Sequence, residues 1–446
     1  MTMAGCQRPT ANFQIPGQSA PGLYPYCWSR GLVLEVGSWS VGLGKLLLFL
    51  AITLVATSPA FPGQASPGQK PAQGSPAVAK PAKPAAAGGV EFERLVKQAE
   101  EARLAERWEE AIGLYGKAVK LKPDYVEGYW YQGTAYYTLD DYPRCRDAFR
   151  RVTRLAPENG AAQAFLGLCE FGLKEYDRAL QHLLQSRTLG VGDIPELGST
   201  ARYHAAILMT RLDQHERALE TLGEFAQEGN DNPRVIEALG IATLRMPMLP
   251  TEVPPDRREM VLMAGRASYM MATRNTSAAD AAFASLVSRY PETPNVHYAY
   301  GVYLLQEQPD KALDELKREL EIQPEHPSSL MQIAYEYLAR GDAAEALPWA
   351  RRAAAAAPNA FAARKALGQA LLETGDLEGA VRELELGLKL APESPGLHFI
   401  IARAYQRAGR MDEATRAREE FTRLDRLART QRSGAQSVGG HIEQAP

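Results

Sequence analysis

Small and apolar positions recur with a long period from about residue 91 onward. One series of small residues runs Ala111, Cys145, Ala179, Ala218, Ala279, Ala312, Ala346, Ala380 and Ala414. Its gaps are 34, 34, 39, 61, 33, 34, 34 and 34 residues. Four residues later most copies carry a large apolar group: Tyr115, Phe149, Leu183, Leu222, Phe283, Leu316 and Leu384. A step of four keeps both residues on one face of a helix. A second small series, Gly133, Gly167, Ala206, Ala267, Gly301, Ala334, Gly368 and Ala402, marks an earlier helix in each copy. Proline-bearing phrases close several copies, at Pro123, Pro157, Pro324, Pro358 and Pro392. Proline after a helix stops it and turns the chain. Two antiparallel helices need small side chains where they cross and large ones beside the crossing. The pattern therefore predicts tandem helix pairs, each stacked on the next because one pair cannot bury its own apolar face.

A 34-residue helix–turn–helix with this small–aromatic–small–proline order resembles the tetratricopeptide repeat family. The stretch "GYWYQGTAYYTLDDYPRCRDAFRRVTRLAPEN" (128–159) carries the resemblance best, with Cys145 standing where the family has alanine. The resemblance spans roughly 91–428 and implies an all-α fold, a right-handed superhelical solenoid of such repeats. Nine copies are expected, with four in 91–232 and five in 260–430. The 39-residue gap is absorbed by "LGVGDIPELG" (189–198). The 61-residue gap holds one helix, 233–245, and the proline-rich "LRMPMLPTEVPPDRREM" (244–260). Proline excludes a continuous helix there. The expectation is an orphan first helix and an extended splice over 233–259. Met248 and Leu249 would cover the surface that a second helix normally covers. The array would then fall into blocks 91–245 and 256–430. Residues 412–430 read as a polar cap, and 431–446 as a disordered tail.

The first ninety residues are a different kind of sequence. "KLLLFLAITLVATSPA" (45–60) has one lysine, an apolar run of eleven residues and then small residues. That is the layout of a secretory signal, over 41–60, and the run is short of the about 20 residues that span a bilayer. Residues 1–40 lack helical or strand periodicity and read as an over-extended N-terminus. Residues 61–90, rich in Pro, Ala, Gly and Lys, read as a disordered tether. The mature chain is thus expected to be exported, periplasmic or extracellular, with no stable membrane span. It would be held at the membrane only if the signal stays uncleaved.

Net charge is −3, unevenly spread. Residues 1–90 hold six Lys/Arg and one acid, so 91–446 hold 44 bases and 52 acids, a balance of −8. An acidic array with no basic stripe is a poor nucleic-acid binder. The seven histidines are scattered, and neither a metal nor a phosphate motif occurs. No catalytic residue, cofactor or metal is expected, and the chain reads as non-enzymatic. Four cysteines are too few for a disulfide scaffold. Cys145 and Cys169 are either two small buried residues of adjacent repeats or a bridge formed in an oxidising compartment.

In the family the first helix of each repeat lines a concave face, where ligands bind. Projected onto this chain, that face carries Trp130, Tyr137, Phe171, Tyr203, Tyr298, Met331, Tyr335 and Arg403 as the candidate partner-binding groove. The same projection adds Thr134, Leu168, Ile207, Met271, Asn295, Val302, Lys365, Gln369 and Phe399. The Lys, Arg and Asn set with which co-chaperone members clamp a C-terminal carboxylate pair is missing apart from isolated Asn295, Lys365 and Arg403. Aromatic and methionine side chains are favoured at protein interfaces. The expected role is a protein–protein interaction scaffold of the bacterial cell envelope, holding a protein or peptide segment. The alternative is an accessory subunit of an envelope enzyme that positions a saccharide or a lipid-linked precursor.

Overall fold

A computed structural model describes residues 85–192 and 194–439. The leader and most of the tether lie outside the described residues, as do 440–446. Among the described residues every regular element is helical. They divide into two compact units, the first ending at Leu286 and the second beginning at Val287.

The first unit holds α1 (Ala85–Leu104), α2 (Trp108–Leu121), α3 (Val126–Thr138), α4 (Tyr142–Leu155), α5 (Gly160–Gly172), α6 (Tyr176–Leu189), α7 (Pro195–Arg211), α8 (His215–Gln227), α9 (Pro233–Thr243) and α10 (Arg258–Ala272). Helix α11 (Thr276–Arg289), within whose last turn the boundary falls, buries Ala279, Phe283 and Leu286. Helices α1 to α8 pack as successive antiparallel pairs, and each second helix also packs on the next first helix. The local signals agree with this order. Asp141 and Asn159 accept backbone N–H groups at the starts of α4 and α5, from Arg144 and Ala162. Left-handed residues end the first helices, at Asp140, Lys174 and Asp213, and turn the chain back. Fully buried small residues mark each crossing, among them Ala111, Cys145, Ala179 and Ala218.

Helix α9 ends as the other first helices do, with Arg245 left-handed. The chain then runs without a helix to two short 3-10 turns, Pro250–Glu252 and Pro255–Arg257. Met246, Leu249 and Val253 are buried, whereas Met248 keeps part of its surface in solvent. The orphan-helix expectation needs correction on one point. Helix α10 packs directly along α9, so α9 has a helical partner, while Leu249 is buried in the same apolar cluster as Val235, Leu239 and Ala242 of α9. Glycine makes this approach feasible, since a Cβ at Gly240 would overlap the Val261 carbonyl and one at Gly265 the Ile236 carbonyl. Thr243 and Ser268 share a hydrogen bond of 2.6 Å across the same contact. The break between units accordingly falls after Leu286 and not at the prolines.

The second unit holds α12 (Val296–Leu304), α13 (Pro309–Ile322), α14 (Pro327–Ala339), α15 (Ala343–Ala356), α16 (Phe361–Thr374), α17 (Leu377–Leu390), α18 (Pro395–Arg407) and α19 (Met411–Gly439). The pairs are α12/α13, α14/α15, α16/α17 and α18/α19. Pro309, Pro327 and Pro395 open helices at positions where no backbone donor is lost. Gly341, Gly375 and Gly409 supply the left-handed turn within the last three pairs. Two terminal expectations shift. Helix α1 already begins at Ala85, inside the stretch read as tether, because Ala85–Ala87 are strong helix formers. Helix α19 continues to Gly439, past the expected end at Thr430, because extending a formed helix costs little per residue.

Candidate functional site

In the first unit the first helices α3, α5 and α7 carry seven of the projected residues, of which Trp130, Tyr137, Phe171 and Tyr203 are half-buried. Trp130 and Tyr137 lie two turns apart on α3, and each sets its ring edge-on to Phe165 of α5, with centroids 5.6 Å apart. Phe165 is itself stacked on Phe149 of α4 at 4.9 Å. One edge of Trp130 and Tyr137 is therefore committed to the seam between repeats. Burial pushes the Tyr137 phenol up to about 12, so it is a neutral hydroxyl at any physiological pH. Phe171 of α5 and Tyr203 of α7 meet through His204, whose ring lies 4.8 Å from Phe171 and 5.7 Å from Tyr203. His204 Nδ1 lies 2.8 Å from the Thr200 carbonyl and donates to it. Burial lowers its pKa, so the ring is neutral and behaves as a third aromatic. Scattered histidines gave no reason to include His204; its place beside Tyr203 on one helix turn was the available signal. Thr134, Leu168 and Ile207, selected by the same projection, are buried between helices.

The second unit treats its candidates differently. Tyr298 of α12 is 8% exposed, with its ring edge-on to His326 at 5.0 Å. It is a core residue and not part of an open face. The entry to its helix explains the shift. Asn295 is left-handed, and the fully buried Glu319 carboxylate accepts the backbone N–H groups of Asn295 at 2.8 Å and Tyr298 at 3.1 Å. That anchor draws the first turn of α12 onto α13. Met331 and Tyr335 of α14 are half-buried. The Tyr335 hydroxyl donates to the Ala362 carbonyl at 2.7 Å, and burial raises its pKa. The Lys365 ammonium of α16 lies 5.5 Å from the centre of the Tyr335 ring. Arg403 of α18 is exposed but engaged, 2.8 Å from Glu373. Glu336 and Arg364 are paired too, with Arg340 and Glu383, both at 2.7 Å. Of the Lys, Arg and Glu side chains on α14, α16 and α18, Lys365 alone lacks an ion pair among the described residues, and burial lowers its pKa. Asn295, Lys365 and Arg403 do not act as one clamp: the Asn295 backbone is tied to Glu319, and Arg403 to Glu373.

Among the described residues no three His, Cys, Asp or Glu side chains converge as a metal site, and no helix is long and apolar enough to cross a membrane. What this arrangement offers chemically is aromatic surface and hydrogen-bonding edges. Among the described residues the Ser329 hydroxyl lies 2.7 Å from His326 Nδ1, but both side chains are buried at the N-terminal cap of α14.

Residues 132–190 and 265–328 match a profile described as tetratricopeptide repeat, and 337–398 match a second of that description. Residues 103–140 match a TPR repeat profile. The chain is a tetratricopeptide repeat protein. Repeats of this family are protein–protein interaction modules, so the chain is classed as an interaction scaffold with protein partners. No curated protein matches it in sequence. Among solved structures, MamA 41-end from Desulfovibrio magneticus RS-1 is 21% identical, covering 39% of this chain and 97% of that one at a TM-score of 0.34. The MamA RS-1 ArsTM double mutant is 19% identical over 38% of this chain and 96% of that one, at 0.36. A further crystal structure of MamA is 16% identical over 37% and 96%, at 0.34. Values this low carry no functional argument.

Proposed function

We propose that this chain is an exported, non-enzymatic scaffold of the bacterial cell envelope that holds an apolar protein segment against the aromatic face of its first helices. The observation that carries the reading is the run of Trp130, Tyr137, Phe171 and Tyr203 on three successive first helices. Each is half-buried, so each is fixed by packing while part of its ring stays open to a partner. Rigid aromatics lose little entropy on binding and commonly dominate interface energies. In the second unit Met331, Tyr335 and the unpaired Lys365 suit a segment bearing an acidic group. Export is supported by the apolar run 46–56 with its flanking lysine and small residues.

The test is one pair of measurements on Trp130→Ala with Tyr137→Ala. Partner capture from solubilised envelope should weaken by about 2 kcal/mol or more. The helical signal should persist with a lower melting temperature, since both rings also contact Phe165. A loss of stability of about 3–5 kcal/mol with binding unchanged would return both residues to the core and remove them from the site. Binding to a glycan array in place of a protein would favour the accessory-subunit reading.

A further inference from the structure

The second helix of one repeat and the first helix of the next meet along an antiparallel seam. On the α4/α5 seam Phe149 stacks on Phe165, and one turn away from that pair stand Cys145 and Cys169. The equivalent aromatic pair on the α2/α3 seam is Tyr115 with Tyr131, stacked at 5.3 Å. The cysteine pair has equivalents too. Residues with its separation of 24, at the same repeat positions, include Ala111 and Ala135, Ala218 and Ala242, Ala346 and Ala370, and Ala380 and Ala404, whereas Ala312 has Glu336 there. All eight alanines are buried. Four seams thus hold alanine at both positions where this seam holds cysteine at both. A packing substitution needs only one side to change. Replacing both partners of one contact is what a covalent bond between them requires.

We infer that Cys145 and Cys169 are a modification site: the chain is cross-linked there by a disulfide as it folds, and the bond locks the α4/α5 seam, whose Phe165 ring Trp130 and Tyr137 contact. The two Cα atoms are 6.0 Å apart, inside the range a disulfide spans. Both side chains are fully buried. The reaction is thiol–disulfide exchange with a disulfide oxidant. One cysteine thiolate attacks a sulfur of the oxidant, forming a mixed disulfide and releasing one oxidant thiol. The second cysteine thiolate then attacks the protein sulfur of that bond. The internal disulfide forms, and the oxidant leaves as its dithiol with the two electrons and two protons. An oxidant cannot reach sulfurs that are already buried, so exchange precedes closure of the seam. Once closed, the seam shields the bond from reductant. A compartment that supplies disulfide oxidants fits such a site, whereas a reducing cytosol does not sustain it. The inference does not rest on what the first helices bind.

The test uses the full chain refolded from denaturant with oxidised and reduced glutathione. Free thiols are alkylated in denaturant without reductant, and the chain is cleaved after Lys and Arg. The expected result is residues 145–146 joined to 155–174, two hydrogens lighter than the separate peptides, with neither cysteine alkylated. Alkylation of both cysteines would overturn the proposal. A second measurement covers the role of the bond. Cys145→Ala with Cys169→Ala recreates the alanine pair of those four seams and so should fold. Its unfolded fraction should rise roughly a hundredfold over the oxidised chain, as for other loops of this size. Reductant added without denaturant should leave the native chain's bond intact. Equal denaturation midpoints for the variant and the oxidised chain would remove the locking role.

Discussion

At His297 both ring nitrogens face acceptors, Glu315 Oε2 at 2.5 Å and the Pro291 carbonyl at 2.9 Å. Only the imidazolium can donate to both. The hydrogen bond to Glu315 raises its pKa above the ordinary 6.5, against a smaller opposing effect of burial. Glu319 adds to the raised value, and Arg318 lies 3.4 Å from the same Glu315. A raised pKa gives stability that is complete below the unfolded value and fades as pH rises through the folded one. The melting-temperature advantage of the parent over His297→Gln should therefore be largest near pH 6, about or below the unfolded value, and shrink in alkaline buffer. An advantage that grows with pH would contradict the assignment. Tyr298, one residue on, separates core from site. Tyr298→Ala should cost about 3–5 kcal/mol of stability, as for other buried aromatics. Its partner affinity, measured on the folded fraction, should not change.

At the scale of elements, the α9/α10 contact is the point where two glycines bring backbones together. Gly240→Ala or Gly265→Ala places a methyl group against a carbonyl that cannot move without separating the helices. The cost should sit at the upper end of the about 1–3 kcal/mol typical of overpacking, read as a lower denaturation midpoint. In the connection that follows, Leu249 is buried and Met248 is not. Leu249→Ser should admit protease between residues 246 and 257, while Met248→Ser alone should leave cleavage near the parent rate. Helical repeats were legible in the sequence because Ala111, Cys145, Ala179 and their successors each mark a crossing, and crossings tolerate only small side chains. The α9/α10 contact was not legible, because the period assumes that every first helix meets a second helix of its own copy. Gly240 and Gly265 carried the true signal, yet they stand 25 positions apart and only Gly240, 34 residues after Ala206, keeps the repeat register. Site positions were legible as far as helix phase goes, which places Trp130, Tyr137, Phe171 and Tyr203 on first helices. Phase does not report how a helix is tilted by its anchor. The burial of Tyr298 depends on Glu319, a residue two helices' length away in sequence and indistinguishable there from a surface carboxylate.

Across the molecule, stability in such an array is nearly a sum of neighbouring contacts, and cooperativity is limited by the weakest of them. The proline-rich connection lies inside the first unit, so amide-exchange protection should change character near Leu286 and Val287 and not at residues 244–257. The central claim is that the first helices of the repeats, with their half-buried aromatics, meet the partner. It is tested most directly by placing a photo-crosslinking side chain at Phe171 or Tyr203 in the living cell. Leu121 and Leu155, exposed at the ends of second helices α2 and α4, serve as controls. The account predicts one discrete protein adduct from the first-helix positions and none from the controls. Adducts of equal yield from both sets, or none at Phe171 and Tyr203 while the controls react, would contradict it.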